Sequence, residues 1–368
     1  IKVLYLNIGQ PDIETPPSII NAVKEANIPI LAYSHSAGNI SYRKKLAQYY
    51  KNLDIDLGAE NIIVTAGGSE AIVFAMMSCM DAGDEIIIPE PFYANYNGFA
   101  VMSGVKIVTV TSSIETGFAL PPIEAIEKSV SSKTKAILIC NPNNPTGYLY
   151  SEDEMNQLES ICLKHGLFLI SDEAYREFTY DGKAKSALKL DKISDQVIVV
   201  DTISKRYSAC GARIGAFITK NKEVYAAAMK FAQARLSPPG LAQILAEAAV
   251  DLPENYFDAP KAAYQSRRDL LVKRLNAMQG VFCPNPGGAF YVVARLPIDD
   301  GDRFCQWMLE SFSHNGKTVM MAPASGFYNT VGLGKNEVRL AYVINNENID
   351  AAMDCLEEAH KVYPGRVS

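Results

Sequence analysis

No run of apolar residues in the 368-residue chain approaches the ~20 needed to cross a bilayer, and no signal peptide opens it. The expectation is a cytoplasmic protein with no membrane partner. Charge of one sign is scarce: 35 basic against 41 acidic residues give a formal net charge of −6. That balance argues against a nucleic-acid partner. The four histidines, His35, His165, His314 and His360, lie far apart, and no metal-ligand spacing joins them. The seven cysteines are dispersed and form no CxxC pair, which reads as reduced core thiols and not a disulfide framework. Internal repeats and low-complexity tracts are absent as well. The chain opens at Ile1 inside an apolar run, so residues upstream of it are expected.

The apolar and polar patterns present are regular. From Asn61 onward short apolar runs alternate with helical segments. Strands are expected at Ile62–Thr65, Glu85–Ile88, Lys106–Val110, Ala136–Cys140, Leu167–Ser171 and Val197–Val200. Helices between them include Tyr93–Met102, Ile123–Val130 and Glu152–His165. This pattern predicts an α/β fold with a largely parallel sheet wrapped by helices. Ligands in such sheets sit beyond the carboxyl ends of the strands. After Thr219 three helices follow, and strands then return at Gly288–Ala294, Val319–Met321 and Val338–Val343. The expected division is a large domain over 37–265 and a smaller α+β domain over 266–368.

The unusual residues fall at the strand ends. Val197–Val200 leads into Asp201-Thr202-Ile203-Ser204-Lys205, with Arg213 ahead of the next apolar run. An amine ringed by hydroxyls and a guanidinium suits an aldehyde cofactor that carries a phosphate, held as a Schiff base. Gly67-Gly68-Ser69, between a strand and a helix, can seat an anion: glycine lets backbone N–H groups approach, and a helix start carries about half a positive charge. No Lys-Ser/Thr follows, so this is not a nucleotide-binding P-loop. Asn141-Pro142-Asn143-Asn144-Pro145 is a proline-locked turn, and Asp172-Glu173-Ala174-Tyr175 closes another strand. Arg339 interrupts an apolar strand and requires a carboxylate, which a guanidinium grips through two parallel hydrogen bonds. A structural ion pair is the alternative there.

Taken in order from Gly9-Gln10-Pro11-Asp12 through Tyr33…Gly38 to Arg339, these motifs resemble the class I and II pyridoxal-phosphate aminotransferases of fold type I. The resemblance implies a three-layer large domain binding pyridoxal 5′-phosphate, with residues 1–36 packed on the small domain. It implies that Lys205 anchors the cofactor and moves the proton between Cα and C4′, and that Asp172 keeps the pyridine nitrogen protonated. Asn144 and Tyr175 would meet the 3′-oxygen, and Tyr93 would stack on the ring, with Phe92 as the fallback. Gly67, Gly68, Ser69, Thr202, Ser204 and Arg213 would hold the phosphate, joined by Tyr33 of a second subunit in a homodimer with shared sites. Arg339, Asn144 and the backbone at Gly9 would bind the α-carboxylate.

The implied reaction is ping-pong exchange of an amino group between an amino acid and a 2-oxo acid, in the branch of aspartate and aromatic transaminases. Two departures stand out: Thr202 where the family most often has serine, and Ser69 where one aspartate-using branch has lysine. Tyr33, His35 and Tyr96 are expected near the mouth, where they would favour aromatic or neutral side chains. A β-lyase acting on C–S bonds or a decarboxylase would share every cofactor residue. A non-catalytic sensor would need a DNA-binding module, which does not precede Gly9.

Overall fold

A computed structural model describes residues 1–367. The short strand β1 (Lys2–Tyr5) opens the chain, and the helix Pro17–Lys24 follows it after the Thr15-Pro16-Pro17 turn. The central sheet takes β2 (Ile62–Thr65), β3 (Glu85–Glu90), β4 (Lys106–Thr111), β5 (Thr134–Cys140), β6 (Phe168–Asp172), β7 (Val197–Thr202) and β8 (Gly215–Thr219). Their spatial order is β2-β8-β7-β6-β5-β3-β4. β8 runs antiparallel to both its neighbours and the other pairs are parallel.

These strands are continuous apolar runs because both faces are buried. Side chains alternate across a strand, and here the alternation sorts them into two cores. Ile86, Ile88, Leu138, Ile170, Ile198 and Val200 join one apolar cluster. Ile87, Ile137, Ile139, Leu169, Val197 and Val199 join the other. The helices Gly68–Cys79 and Lys222–Ala234 cover the first face, and Ile40–Lys51 and Glu152–His165 cover the second. The helix Glu152–His165 shows why its ends fall where they do. Ser151 and Glu154 cap each other's backbone N–H groups, and Gly166 leaves the helix at φ 66°.

A second set of strands lies beyond the helix Asp258–Asn276. β9 (Tyr291–Arg295), β10 (Lys317–Met320), β11 (Ala322–Pro323) and β12 (Glu337–Ala341) form two small sheets. β12 lies between β11 and β9, antiparallel to both. β10 pairs in parallel with β1, which ties the start of the chain to this region. The helix Pro17–Lys24 packs instead against the helix Gly240–Val250. Among the described residues no helix is long and apolar enough to cross a membrane.

Candidate active site

The carboxyl ends of β2, β3, β5, β6 and β7 open on one side of the sheet. β8 is antiparallel, so its amino end lies on that same side. This explains why Arg213 precedes its strand while the other candidate residues follow theirs. Between this edge and the small sheets lies a cavity of about 340 Å³. It is lined by Gly9, Gly68, Ser69, Tyr93, Asn144, Asp172, Tyr175, Thr202, Ser204, Lys205, Arg213 and Arg339.

Lys205 sits in a single helical turn, Ile203–Arg206, whose start is capped by the Thr202 hydroxyl accepting from the Ser204 N–H at 3.2 Å. Its Nζ donates to the Gly9 carbonyl at 2.8 Å and lies 3.7 Å from Cys210 Sγ. Burial pushes the Lys205 amine below its ordinary value, and Arg213 and Arg339 push the same way. The loop after it holds Ser208 and Arg213 in left-handed backbone, at φ 51° and 53°. Such strain in non-glycine residues gathers at functional sites.

The geometry of the glycine turn suits an anion. Gly67 has φ 86°, and a Cβ there would lie 2.4 Å from an Arg213 guanidinium nitrogen, so only glycine lets that group lie against the turn. Gly67 therefore supports the cavity from beneath and does not line it. The helix Gly68–Cys79 starts with no side-chain cap, leaving its first N–H groups directed outward. Glu70 would oppose an anion here, but its carboxylate accepts the Ala66 N–H and pairs with Arg235 at 3.1 Å.

Asp172 is buried on the opposite wall. It accepts from the Tyr96 hydroxyl at 2.8 Å and the Ala174 N–H at 3.2 Å, and no cation pairs with it among the described residues. Burial raises its carboxyl to about 6, against those two hydrogen bonds. Arg339 is also buried and also lacks an ionic partner among the described residues. It donates to Asn144 Oδ1 at 3.1 Å and to the Asn7 carbonyl at 2.5 Å, and its Nε has no partner. Its guanidinium lies 4.7 Å from the ring centres of both Tyr291 and Phe327. The alternative of a structural ion pair for Arg339 is thereby removed. Holding Asn144 by its oxygen leaves the amide –NH₂ as the free end.

Comparisons with known proteins agree with this geometry. A family model described as aminotransferase class I and II matches residues 1–356. The chain is 31% identical to the aspartate aminotransferase of Bacillus subtilis, over 97% of this chain and 89% of that protein. It is 31% identical to the (5-formylfuran-3-yl)methyl phosphate transaminase of Methanocaldococcus jannaschii, over 97% and 91%. Among solved structures, the aspartate aminotransferase of Thermus thermophilus with maleate superimposes with a TM-score of 0.90 at 28% identity, covering 98% of this chain and 92% of that one. The chain belongs to the class I and II aminotransferases.

As an aminotransferase it works with pyridoxal 5′-phosphate, as aspartate aminotransferase-like members of the family do. The donor set fits that group: a half-buried amine, an uncapped helix start beside a guanidinium, a buried carboxylate without a cation among the described residues, and an aromatic wall. In this aminotransferase Tyr93 lines the cavity, whereas Phe92 is buried and stacks on Tyr96 at 6.1 Å. Tyr96 corrects the sequence reading. It is fully buried behind Asp172 and not at the mouth, because the helix Asn95–Ser103 turns that face onto the core. His35 is exposed, with its ring nitrogen accepting from the Ala37 N–H. Tyr33 is 79% exposed and lies outside its own chain's cavity. Sequence reasoning missed Asn7, Ala174, Cys210 and Tyr291, all of which line the cavity. Only Ala174 had a visible signal, its place inside the Asp172–Tyr175 motif.

Proposed function

We propose that this transaminase exchanges an amino group between an amino acid and a 2-oxo acid at the cavity shared by Lys205 and Arg339. The observation that carries this reading is Arg339. A buried guanidinium with an open Nε and no acidic partner among the described residues is costly unless a ligand supplies the anion. An α-carboxylate is the group that a guanidinium binds in bidentate fashion. Amino acids and 2-oxo acids both carry one, so a single arginine serves both halves of a ping-pong exchange.

When bound, pyridoxal 5′-phosphate supplies an aldehyde that condenses with amines and a ring that accepts the electron pair left at Cα. Lys205 would hold it, with Ser69, Ser204, Arg213 and the start of the helix Gly68–Cys79 around the phosphate. Thr202 orders this rim from behind, since its hydroxyl is already engaged with Ser204 and the Ile214 carbonyl. Tyr93 would cover one ring face, Asp172 would hold a proton on the pyridine nitrogen, and Asn144 and Tyr175 would meet the 3′-oxygen. The Lys205 amine would move the proton between the substrate's Cα and C4′ as general acid and base. Burial lowers its proton affinity, which favours the free amine that a base needs. Asn7 and Gly9, held to Arg339 and Lys205 through their carbonyls, close the carboxylate side.

We further infer a homodimer in which Tyr33 reaches the partner's phosphate. Its exposure, beside exposed Ile30 and Leu31, supports this. A panel of amino donors, scored by loss of the bound cofactor's absorbance near its long-wavelength band, tests the function. Pyridoxamine phosphate should accumulate with no ammonia released, and a 2-oxo acid should reverse it. Stoichiometric ammonia release would make the protein a lyase instead.

A further inference from the structure

Tyr291 joins three working parts of the cavity: the Tyr175 hydroxyl, the Arg339 guanidinium and the turn at Gly9. It lies on β9 opposite Ala341 of β12, two residues beyond Arg339, so its ring and the guanidinium share one face of the small sheet. A Cβ on Gly9 would fall 1.8 Å from the Tyr291 hydroxyl, so the N-terminal turn closes directly on it. That hydroxyl lies 2.9 Å from the hydroxyl of Tyr175, and neither oxygen has another hydrogen-bond partner among the described residues. Both side chains are buried, at 2% and 5% exposure, and their rings meet edge to face at 5.6 Å.

Each phenol carries one proton, and the pair shares one hydrogen bond, so one proton remains to be directed elsewhere. We propose that Tyr291 is a positioning residue whose hydroxyl donates to that of Tyr175, leaving the Tyr175 proton for the cofactor's 3′-oxygen. This rests on the reading of Tyr175 given above. The surroundings favour that direction. The charged and titratable groups facing the pair are Arg339, Asp172, Tyr93 and Cys140. Burial raises both phenols, but the Arg339 guanidinium over the Tyr291 ring pulls Tyr291 back to about 12. Burial comes first in raising Tyr175, then its hydrogen-bonded neighbour Tyr291, then Cys140 and Asp172. Cys140 raises Tyr291 as well, so Arg339 over one ring and Asp172 beside the other are what tell the two phenols apart. A phenol with a guanidinium 4.7 Å over its ring gives up its proton more readily, so the geometry favours Tyr291 as the donor. A donor feeding the Tyr175 oxygen also strengthens the bond that Tyr175 makes in turn.

The test is the pH midpoint of the absorbance change of the bound cofactor in the whole enzyme. A stronger donor at the 3′-oxygen stabilises its anion and lowers this midpoint; a weaker one raises it. Tyr175→Phe is expected to raise the midpoint by about one pH unit or more, the scale of a charge-assisted hydrogen bond. Tyr291→Phe is expected to raise it by roughly 0.1–0.6 unit, from strengthening of about 10–30% per linked bond. In the Tyr175→Phe background the second change should add nothing, and the KM for the amino acid should stay within about twofold, since the ring over Arg339 is kept. No shift with Tyr175→Phe removes the underlying reading. A shift with Tyr175→Phe but none with Tyr291→Phe, an equal shift in both backgrounds, or a KM raised tenfold overturns the proposal alone. Should Tyr291→Phe fail to hold cofactor, 3-fluorotyrosine at position 291 strengthens the donor and should lower the midpoint; no movement overturns the proposal there too.

Discussion

Asp172 ends β6, and Asp201 lies one residue before the end of the neighbouring β7. Both are buried, at 8% and 2% exposure, yet their surroundings are opposite. Burial alone would raise Asp201, but the guanidinium groups of Arg206 and Arg176 hold it below its ordinary value. It accepts from Arg206, from Tyr50 at 2.8 Å and from the Thr202 N–H at 2.7 Å, which fixes the turn that carries Lys205. Asp172 has only a phenol and one amide, and stays raised. Arginines divide the same way: Arg206 is closed onto Asp201, whereas Arg339 meets only neutral oxygens. Charges that find partners inside the chain belong to the scaffold. Those left open mark where a ligand brings the missing charge.

The arginine pair gives the largest contrast. Arg206→Met leaves Asp201 short of a buried partner and should cost about 3–5 kcal/mol of stability, read as a lower urea midpoint. Arg339→Met should leave that midpoint unchanged or raise it, because no anion inside the chain is stranded. Its cost should appear in binding, about 2–4 kcal/mol, or roughly thirty- to several-hundredfold in KM for the amino donor. Equal losses of stability in both variants would place Arg339 in the scaffold and break the comparison.

The aspartate pair sharpens it through pH. The folded protein raises Asp172 from 3.8 to about 6. At about 1.4 kcal/mol per tenfold change in proton affinity, the ionised carboxylate costs roughly 3 kcal/mol in the cofactor-free protein. The sign follows from the raised value: the cost is absent below about pH 4, grows between 4 and 6, and is complete above 6. Asp172→Asn should therefore stabilise the cofactor-free protein by up to about 3 kcal/mol at pH 8 and have little effect at pH 4. Urea titrations at the two pH values measure this directly. A gain of the same size at both, or at neither, would show that Asp172 is not held as an open charge.

How much of this was legible depended on sequence distance. The helix Glu152–His165 and the strand Ile62–Thr65 fall at their expected limits, because periodicity and caps are local signals. So are the motif residues along the sheet edge, each within a few positions of its strand end. β9 was expected from Gly288 and begins at Tyr291. Ala289 takes left-handed backbone at φ 56°, and Gly288 packs against Pro142 and the Phe178 carbonyl, neither of which periodicity reveals. Tyr96 was misplaced because its helix, Asn95–Ser103, has no clear polar face to orient it. Tyr291 was missed since each of its partners, Gly9, Tyr175 and Arg339, comes from another part of the chain.

Tyr33 carries the comparison beyond one chain and predicts the smallest effect. It is an open polar group like Arg339, but on the outside, 79% exposed beside Ile30 and Leu31 at 78% and 63%. In the proposed homodimer its hydroxyl meets the partner's phosphate, a hydrogen bond to a charged group worth about 1.5–3 kcal/mol. Tyr33→Ala should then weaken cofactor affinity about ten- to a hundredfold without changing the urea midpoint of the cofactor-free protein. Mixing Tyr33→Ala with Lys205→Ala and letting subunits exchange tests whether the tyrosine crosses. If it does, one site of the hybrid collects both defects and the other is intact. If it stays in its own chain, each hybrid site keeps one defect. The assay belongs at limiting cofactor, where loss of Tyr33 weighs most. Activity above either parent is the expected result. None, with exchange confirmed by mass, would leave Tyr33 as an exposed side chain with no partner across the dimer.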